Sequence, residues 1–515
     1  LELKLILSDI YTGRCVNVEN YFDRLIKNSV NLYLAYNEGS VLLIIRDMEE
    51  EYNFDFNEDD AQRSVDRYEE MLRNQDQYFF DAQAFENIID FYIEKSDPVK
   101  ALQVVEFAMN QHPFAVVFLI KQAQLLFITD QVDKAFAGLE KAEMLEASES
   151  EIYILRGNIY NSLERYSEAL ENFHKALGYA ETTDEILLQI AYVYQNMLDY
   201  ESAIKYIKQS LEQDMENKDG LYELAFCYDI LDKQEESIQF YQEYIDNDPY
   251  SYAAWYNLAN SYHKLELFEK AIDAYDYAIL IKDNFASAYY NKGNALVQLD
   301  RYAEAIEVYK QTFEYEPPNA DTYCAIGECY EKLEHMDEAR SYYKKSVKMD
   351  VKMADAWFGI GVTLNFEERF FESLHFYKKA LELDEENPDF WFAMADAYYK
   401  LGQIELSVEA YEKVLEYNPL DVEAWLDFST VLYEQGRLLQ ASETMSEAIK
   451  NNPDAAELYY RMVAYLFALG QNKDAIVYLE TALTTDPEKH YILFEYLPQL
   501  QDNALIIDVI NRYIK

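Results

Sequence analysis

Positive charge is scarce in this chain. Its 515 residues carry 44 Lys and Arg against 96 Asp and Glu, a formal charge of −52. Binding a phosphate backbone takes a basic stripe that releases counterions, so nucleic acid is excluded as the expected partner and basic or neutral partners are favoured. The same acidic excess also serves to keep a long, apolar-cored body in solution. Glycine is scarce too, at 13 residues, few of them left for a Gly-rich loop that cradles phosphates, and none is seen. Four cysteines, Cys15, Cys227, Cys324 and Cys329, do not make a disulfide framework. Cys324 and Cys329 point in different directions from one helical stretch and match no zinc-ligand spacing. Reduced thiols in a cytoplasmic protein are the simplest account. Long apolar runs are also missing: Val41 to Ile45 falls far short of the ~20 residues that span a bilayer, so no membrane insertion is expected. The opening residues lack a starting Met, and their interrupted apolar runs show no cleavage site of a secretory signal.

What is present is periodicity. In Tyr252 to Phe285, Trp255, Leu258, Ala259 and Tyr262 fall on one face of a first helix, and Ala271, Tyr275 and Ala278 on one face of a second. Glu266 to Phe268 is the only gap between them, short enough to be a tight turn between antiparallel helices. Such a hairpin leaves an apolar face that only another hairpin can cover. Stepping by 34 residues from this copy, the frame holds without insertion from Ala82 to about Lys489, giving about 12 repeats.

Three columns of that frame carry the argument. The place of Ala271 is small throughout: Ala101, Ala135, Ala169, Ala203, Ser237, Ala305, Ala339, Ser373, Ser407, Ala441 and Ala475. Since roughly a fifth of average residues are Ala, Gly or Ser, chance would produce this with odds on the order of one in a hundred million. A large side chain there would force apart helix axes that cross ~8–10 Å from each other. The place of Ala259 is small as well, with Gly157, Gly293, Gly327 and Gly361 among its members, and is broken by Ile89 and Val463 at the two ends. Large residues such as Tyr153, Trp255, Trp357, Trp391 and Trp425 fill a third column and are expected to wedge between neighbouring helices. Pro113, Pro249, Pro317, Pro419, Pro453 and Pro487 share a place where proline is expected to stop the second helix.

The pattern W-x-x-L-[GA]-x-x-Y followed by Ala, an aromatic, Ala and Pro resembles the tetratricopeptide repeat (TPR) family, over about four-fifths of the chain. The resemblance implies an all-α fold: a right-handed superhelical solenoid of helix-turn-helix repeats, its concave groove lined by the first helix of each pair. Residues 1–81 are then an N-terminal extension with a capping helix, 82–489 twelve in-phase repeats, and 490–515 a C-terminal capping helix pair. An in-phase repeat builds one elongated body with no linker. Within the extension, Met48 reads as a natural beginning, with residues 1–47 an upstream addition. Glu49 to Asp60 is strongly acidic, and Asp60 is placed to cap a helix reaching about Arg73 with Val65, Tyr68 and Leu72 as its apolar stripe. At the other end, Tyr491 to Leu500 and Ala504 to Ile514 would form the cap. Its last helix is unusually apolar for a cap: either its outer side is polar enough, through Asp508, Asn511, Arg512 and Lys515, to end the array, or it docks onto a partner or a second copy.

Candidate chemistry is sparse. Glu171 with His174 and Glu372 with His375 form E-x-x-H pairs, which serve di-metal sites when four helices converge. They lie about six repeats apart at different repeat positions, so no metal and no cofactor is expected. His263 has no Cys or Ser in a nucleophile-like setting beside it and reads as a groove contact or a packed histidine, so no catalytic residue is assigned.

Recognition is therefore expected on the first helices. The peptide-binding candidates are Tyr222, Tyr256, Asn257, Asn260, His263, Tyr290, Asn291, Asn294 and Glu328. An amide both donates and accepts, so a ladder of asparagines can pair with the backbone of an extended peptide whatever its side chains. Further along, Phe358, Phe392, Tyr399, Tyr433 and Phe467 make the wall aromatic and suited to apolar anchors. The same residue types at these places also serve stability alone. Relatives that clamp acidic chaperone tails use Lys and Asn, then Asn, then Lys and Arg on three successive first helices. Here Asn260 and Asn291 match the amides, but Tyr256, Asp321 and Ala325 stand in the cation places, so Asp321 and Glu328 would repel an acidic tail. The expected function is a non-catalytic scaffold or adaptor holding a neutral or basic protein segment. The alternative is a regulatory or targeting subunit of a separate enzyme.

Overall fold

The computed structural model describes residues 33–37, 40–44, 58–75 and 77–513. The expectations for Met48 and for Glu49 to Asn57 lie outside the described residues, as does most of 1–47. The fold is the expected all-α repeat solenoid; ahead of it, within that segment, strands β1 (Tyr33–Asn37) and β2 (Ser40–Ile44) pair antiparallel, in a register running from Tyr33 with Ile44 to Asn37 with Ser40. Tyr, Val and Ile favour strands, and these ten residues are rich in them.

Helix α1 spans Glu58–Asn74, starting before Asp60. Val65 and Tyr68 are buried as the stripe requires, but the next turn buries Met71 and leaves Leu72 more than half exposed, because the covered face continues at i+3 from Tyr68. Twelve helix pairs follow, from Ala82–Glu94 with Pro98–Gln111 to Ala456–Ala468 with Asn472–Thr485. In the central pair the second helix begins at Phe268, so the link is 265–267. By internal packing the chain divides into two compact units, Leu1–Leu265 and Glu266–Lys515, with the boundary in that turn and no inserted segment.

Every residue of the Ala271 column is buried, none more than 1 % exposed. Where the Ala259 column holds glycine, it has a sharper cause than helix-to-helix approach: an aromatic ring from the second helix packs directly against it. A Cβ on Gly361 would sit 2.5 Å from Cε1 of Tyr377, and one on Gly157 2.8 Å from Cε1 of Phe173.

Each first helix ends in a turn residue with left-handed φ. The column runs Ser96, Asp130, Glu164, Leu198, Asp232, Glu266, Asp300, Glu334 and Glu368, then Gly402, Gly436 and Gly470. The following N–H bonds back five residues, as Arg165 does to the Tyr160 carbonyl and Gln403 to that of Tyr398, both at 2.9 Å. This is the C-terminal motif that satisfies orphan helix carbonyls and for which glycine is the usual residue. Seven of its nine non-glycine members are Asp or Glu, placed just before the positive N-terminal end of the second helix.

The proline column does not set the helix end. Second helices without it, Phe268–Ile281 and Met336–Met349, stop in the same register as Gln234–Asn247, which precedes Pro249. The large column holds this turn instead. The Trp255, Trp391 and Trp425 indoles donate from Nε1 to the carbonyls of Pro249, Glu385 and Pro419, at 3.0, 2.7 and 2.9 Å. Trp357 does the same to Val351, where no proline stands.

At the C-terminus the expected first helix is broken. Tyr491–Tyr496 is followed by a 3-10 turn, Pro498–Asp502, and then by Ala504–Tyr513. Pro498 lacks the N–H that would continue the helix. Ile506, Val509 and Ile510 are buried by this cap, whereas Leu505 is half exposed.

Candidate functional site

In the first unit the first-helix face carries the sequence candidates Tyr222, Tyr256, Asn257, Asn260 and His263. Tyr222 and Tyr256 meet edge to face with centroids 6.4 Å apart, and Tyr256 is only 8 % exposed. Asn257 does not present its amide as expected. It is 2 % exposed, and its Nδ2 donates to the Leu221 carbonyl at 3.2 Å, an oxygen that the Tyr241 hydroxyl also reaches at 2.7 Å. Its backbone carbonyl accepts from Ser261. Asn257 is therefore a packing amide that ties two first helices together. Asn260 and His263 are half-buried, and burial pushes the His263 imidazole below its ordinary pKa.

One repeat earlier in the Asn257 column stands Glu223, which the sequence reading passed over although the frame leads to it. Glu223 is 7 % exposed. Its Oε2 accepts from Nε2 of Gln195 at 2.8 Å, and the same amide donates to Sγ of Cys227 at 3.2 Å. Burial pushes the Glu223 carboxyl up to about 7, Asp219 adding to the rise and Gln195 opposing it.

In the second unit Tyr290, Asn291 and Asn294 are half-buried on helix Ala286–Gln298. Second-helix tyrosines reach through to this face. The Tyr309 hydroxyl donates to Oδ1 of Asn294 at 2.6 Å, and that of Tyr343 to Oε2 of Glu331 at 2.8 Å. Asn294 is thereby left with its N–H groups as donors. Glu328 opens to water on one side, yet the protein around it, and then Asp355, push its carboxyl up to about 7. Asp321, half-buried, and Asp355, itself exposed, are raised likewise, by the protein around them first and then by Asp350 for Asp321 and by Asp384 and Asp321 for Asp355. Asp355, one repeat beyond Asp321, was legible in the frame and missed.

The aromatic stretch is partly committed to packing. Phe358 stacks on Phe390 at 4.7 Å, Phe392 meets Tyr411 at 5.8 Å, Tyr433 stacks on Tyr465 at 5.2 Å, and the Tyr399 hydroxyl bonds Glu434. Phe467 is half-buried. Arg461 is buried beneath the cap: Nη1 donates to the Leu426 carbonyl and to Oγ1 of Thr430, and its guanidinium lies 3.3 Å from the centroid of Tyr496.

Glu171 pairs with Lys175 and Glu372 with Arg369, each within its own helix or turn. Among the described residues no group of His, Cys, Asp and Glu could hold a metal ion, and no helix is long and apolar enough to cross a membrane.

Profiles described as tetratricopeptide repeat or TPR repeat match residues 150–183, 188–252, 252–285, 284–350, 369–402, 392–456 and 426–490. The chain belongs to the tetratricopeptide repeat family, whose repeats form protein–protein interaction scaffolds. No curated protein matches it. Among solved structures it is similar to YrrB, described as a TPR protein with an unusual peptide-binding site, at 23 % identity and TM-score 0.31 over 38 % of this chain and 97 % of that one. It is also similar to the C-terminal part of a TPR repeat-containing protein from Cytophaga hutchinsonii, at 17 % identity and TM-score 0.38 over 49 % and 98 %. For the MamA protein the figures are 17 % identity and TM-score 0.30 over 33 % and 92 %.

Proposed function

We propose that this protein is a scaffold whose first-helix face in the second unit holds an extended, neutral or basic protein segment. The observation that carries this reading is the trio Asp321, Glu328 and Asp355 on two successive first helices: Asp321 is half-buried and the other two open to water, yet the protein around them and their acidic neighbours push all three carboxyls upward. Such a wall holds more negative charge than its surroundings solvate well, and a Lys or Arg side chain laid against it relieves the repulsion. Asn294, its oxygen engaged by Tyr309, offers N–H donors to the segment's backbone carbonyls. Tyr222, Asn260 and His263 of the first unit offer a comparable half-buried polar face.

Cross-linking to partners, with the cross-linked peptides read by mass spectrometry, tests the reading. Segments joined to helices Ala320–Lys332 and Ala354–Phe366 should be rich in Lys and Arg, and Glu328→Lys with Asp355→Lys should abolish their recovery. Unchanged recovery by the charge-reversed protein would count against this face.

A further inference from the structure

The second unit carries a feature of the opposite sign. On its second helices the place of Lys344 is basic in three successive repeats, as Lys310 on Tyr302–Tyr315, Lys344 on Met336–Met349 and Lys378 on Phe370–Leu383, and the place of Lys345 is basic in the latter two, as Lys345 and Lys379, with Gln311 before them. Residues one repeat apart occupy equivalent places, so these lysines form a line across neighbouring second helices. Some are matched within their own helix, Lys310 by Glu307 at 3.1 Å and Lys379 by Glu382 at 2.9 Å. Among the described residues Lys344, Lys345, Lys348 and Lys378 enter no ion pair, although the chain has more than twice as many carboxylates as cations. Lys344, Lys348 and Lys378 are exposed, and Lys345, also exposed, rests its ammonium 4.0 Å from the Tyr342 centroid. Favourable charge at a helix C-terminus accounts for Lys348, in the last turn, but not for the others, because that effect fades beyond one turn. Met349, Val351 and Phe371, exposed by 57, 65 and 75 %, belong to the same stretch of chain.

We propose that this lysine line docks an acidic protein segment in which carboxylates are interspersed with apolar residues. The charge of the line selects an anion; Met349, four residues after Lys345, and Phe371, seven before Lys378, share a helix face with those lysines and select apolar side chains. A narrow segment lying on the lysines stays within a Debye length, ~8 Å at physiological salt, of the cations that attract it. A bilayer or a nucleic-acid duplex is a broad anionic surface and would face the acidic excess of the rest of the chain. The inference stands independently of the first-helix face.

The test uses the full chain and a short fluorescein-labelled peptide alternating glutamate with leucine, titrated by fluorescence anisotropy. Three proteins are compared: wild type; Lys344→Glu, Lys345→Glu and Lys378→Glu combined; and a charge-matched control, Lys95→Glu, Lys134→Glu and Lys473→Glu combined. The first set should weaken binding by about tenfold or more, the sum of several exposed ion pairs lost and reversed, while the control changes it by less than about threefold. Replacing the same three lysines by glutamine gives a milder variant, and circular dichroism checks that each protein is folded. Equal weakening by both sets would mean that only net charge matters and would overturn the proposal. So would wild-type binding by the folded glutamine variant, or binding of phosphatidylserine vesicles or duplex DNA but not of the peptide.

Discussion

Glu223→Gln should make the first unit more stable, by an amount that depends on pH. The carboxyl is pushed from its ordinary 4.5 up to about 7 because helix Lys218–Ile230 buries it with an amide, Gln195, as its hydrogen-bond partner and with Asp219 nearby. A carboxyl raised in the folded state binds its proton more tightly there than in the unfolded chain. Its contribution is therefore fully present below the unfolded value, is lost as pH rises towards the folded value, and stays lost above it. A rise from 4.5 to about 7, at ~1.36 kcal/mol for each tenfold change in proton affinity, sets a ceiling of about 3–4 kcal/mol. Glutamine preserves an oxygen to accept from Gln195 and never ionises. The variant should match wild type at about pH 4.5 and exceed it by about 1–3 kcal/mol at about pH 8. Amide exchange of residues 218–230, corrected for intrinsic rates, reads this locally, which matters because a repeat array need not unfold in one step. A stability difference that did not vary with pH, or a variant less stable than wild type at the alkaline end, would refute the assignment of a strained buried carboxylate.

Gly361→Ala should lose about 1–2 kcal/mol despite alanine's better helix propensity, since the new Cβ meets the Tyr377 ring at 2.5 Å and that ring is buried on all sides. Urea unfolding of the second unit's helices measures it, and a neutral result would mean that the ring can retreat. Leu198→Gly should gain about 0.5–1 kcal/mol by removing a branched side chain from a left-handed turn at φ 60. A higher midpoint by thermal unfolding is expected, and a lower one would show that Leu198 contributes packing despite being 61 % exposed.

The repeat was legible because its cause is local and recurs. One small residue at each crossing, one large residue at each entry and a turn of fixed length leave the same trace twelve times, and burial of the whole Ala271 column follows directly. What the sequence concealed were roles shared between residues of unlike type. Trp255 reads as a wedge, but its N–H holds the turn credited to proline. Gly361 reads as a backbone contact, but a ring from the next helix decides it. The candidate face was legible as a set of columns and not as a set of partners. Asn257 reads as a groove contact, yet it spends its amide on Leu221, and Glu223 in the same column is a buried carboxyl pushed upward. The paired strands at Tyr33–Asn37 and Ser40–Ile44 escaped because five-residue runs give too little alternation to separate a strand from a short apolar stretch.

The left-handed column has a use for anyone reshaping this protein. Since backbone hydrogen bonds hold those hairpin corners, and three of them already carry glycine, any of the other nine can be relaxed singly without redrawing either helix. Each corner is thus an independent dial on the firmness of one repeat, and turning it leaves the residues of both candidate docking faces untouched.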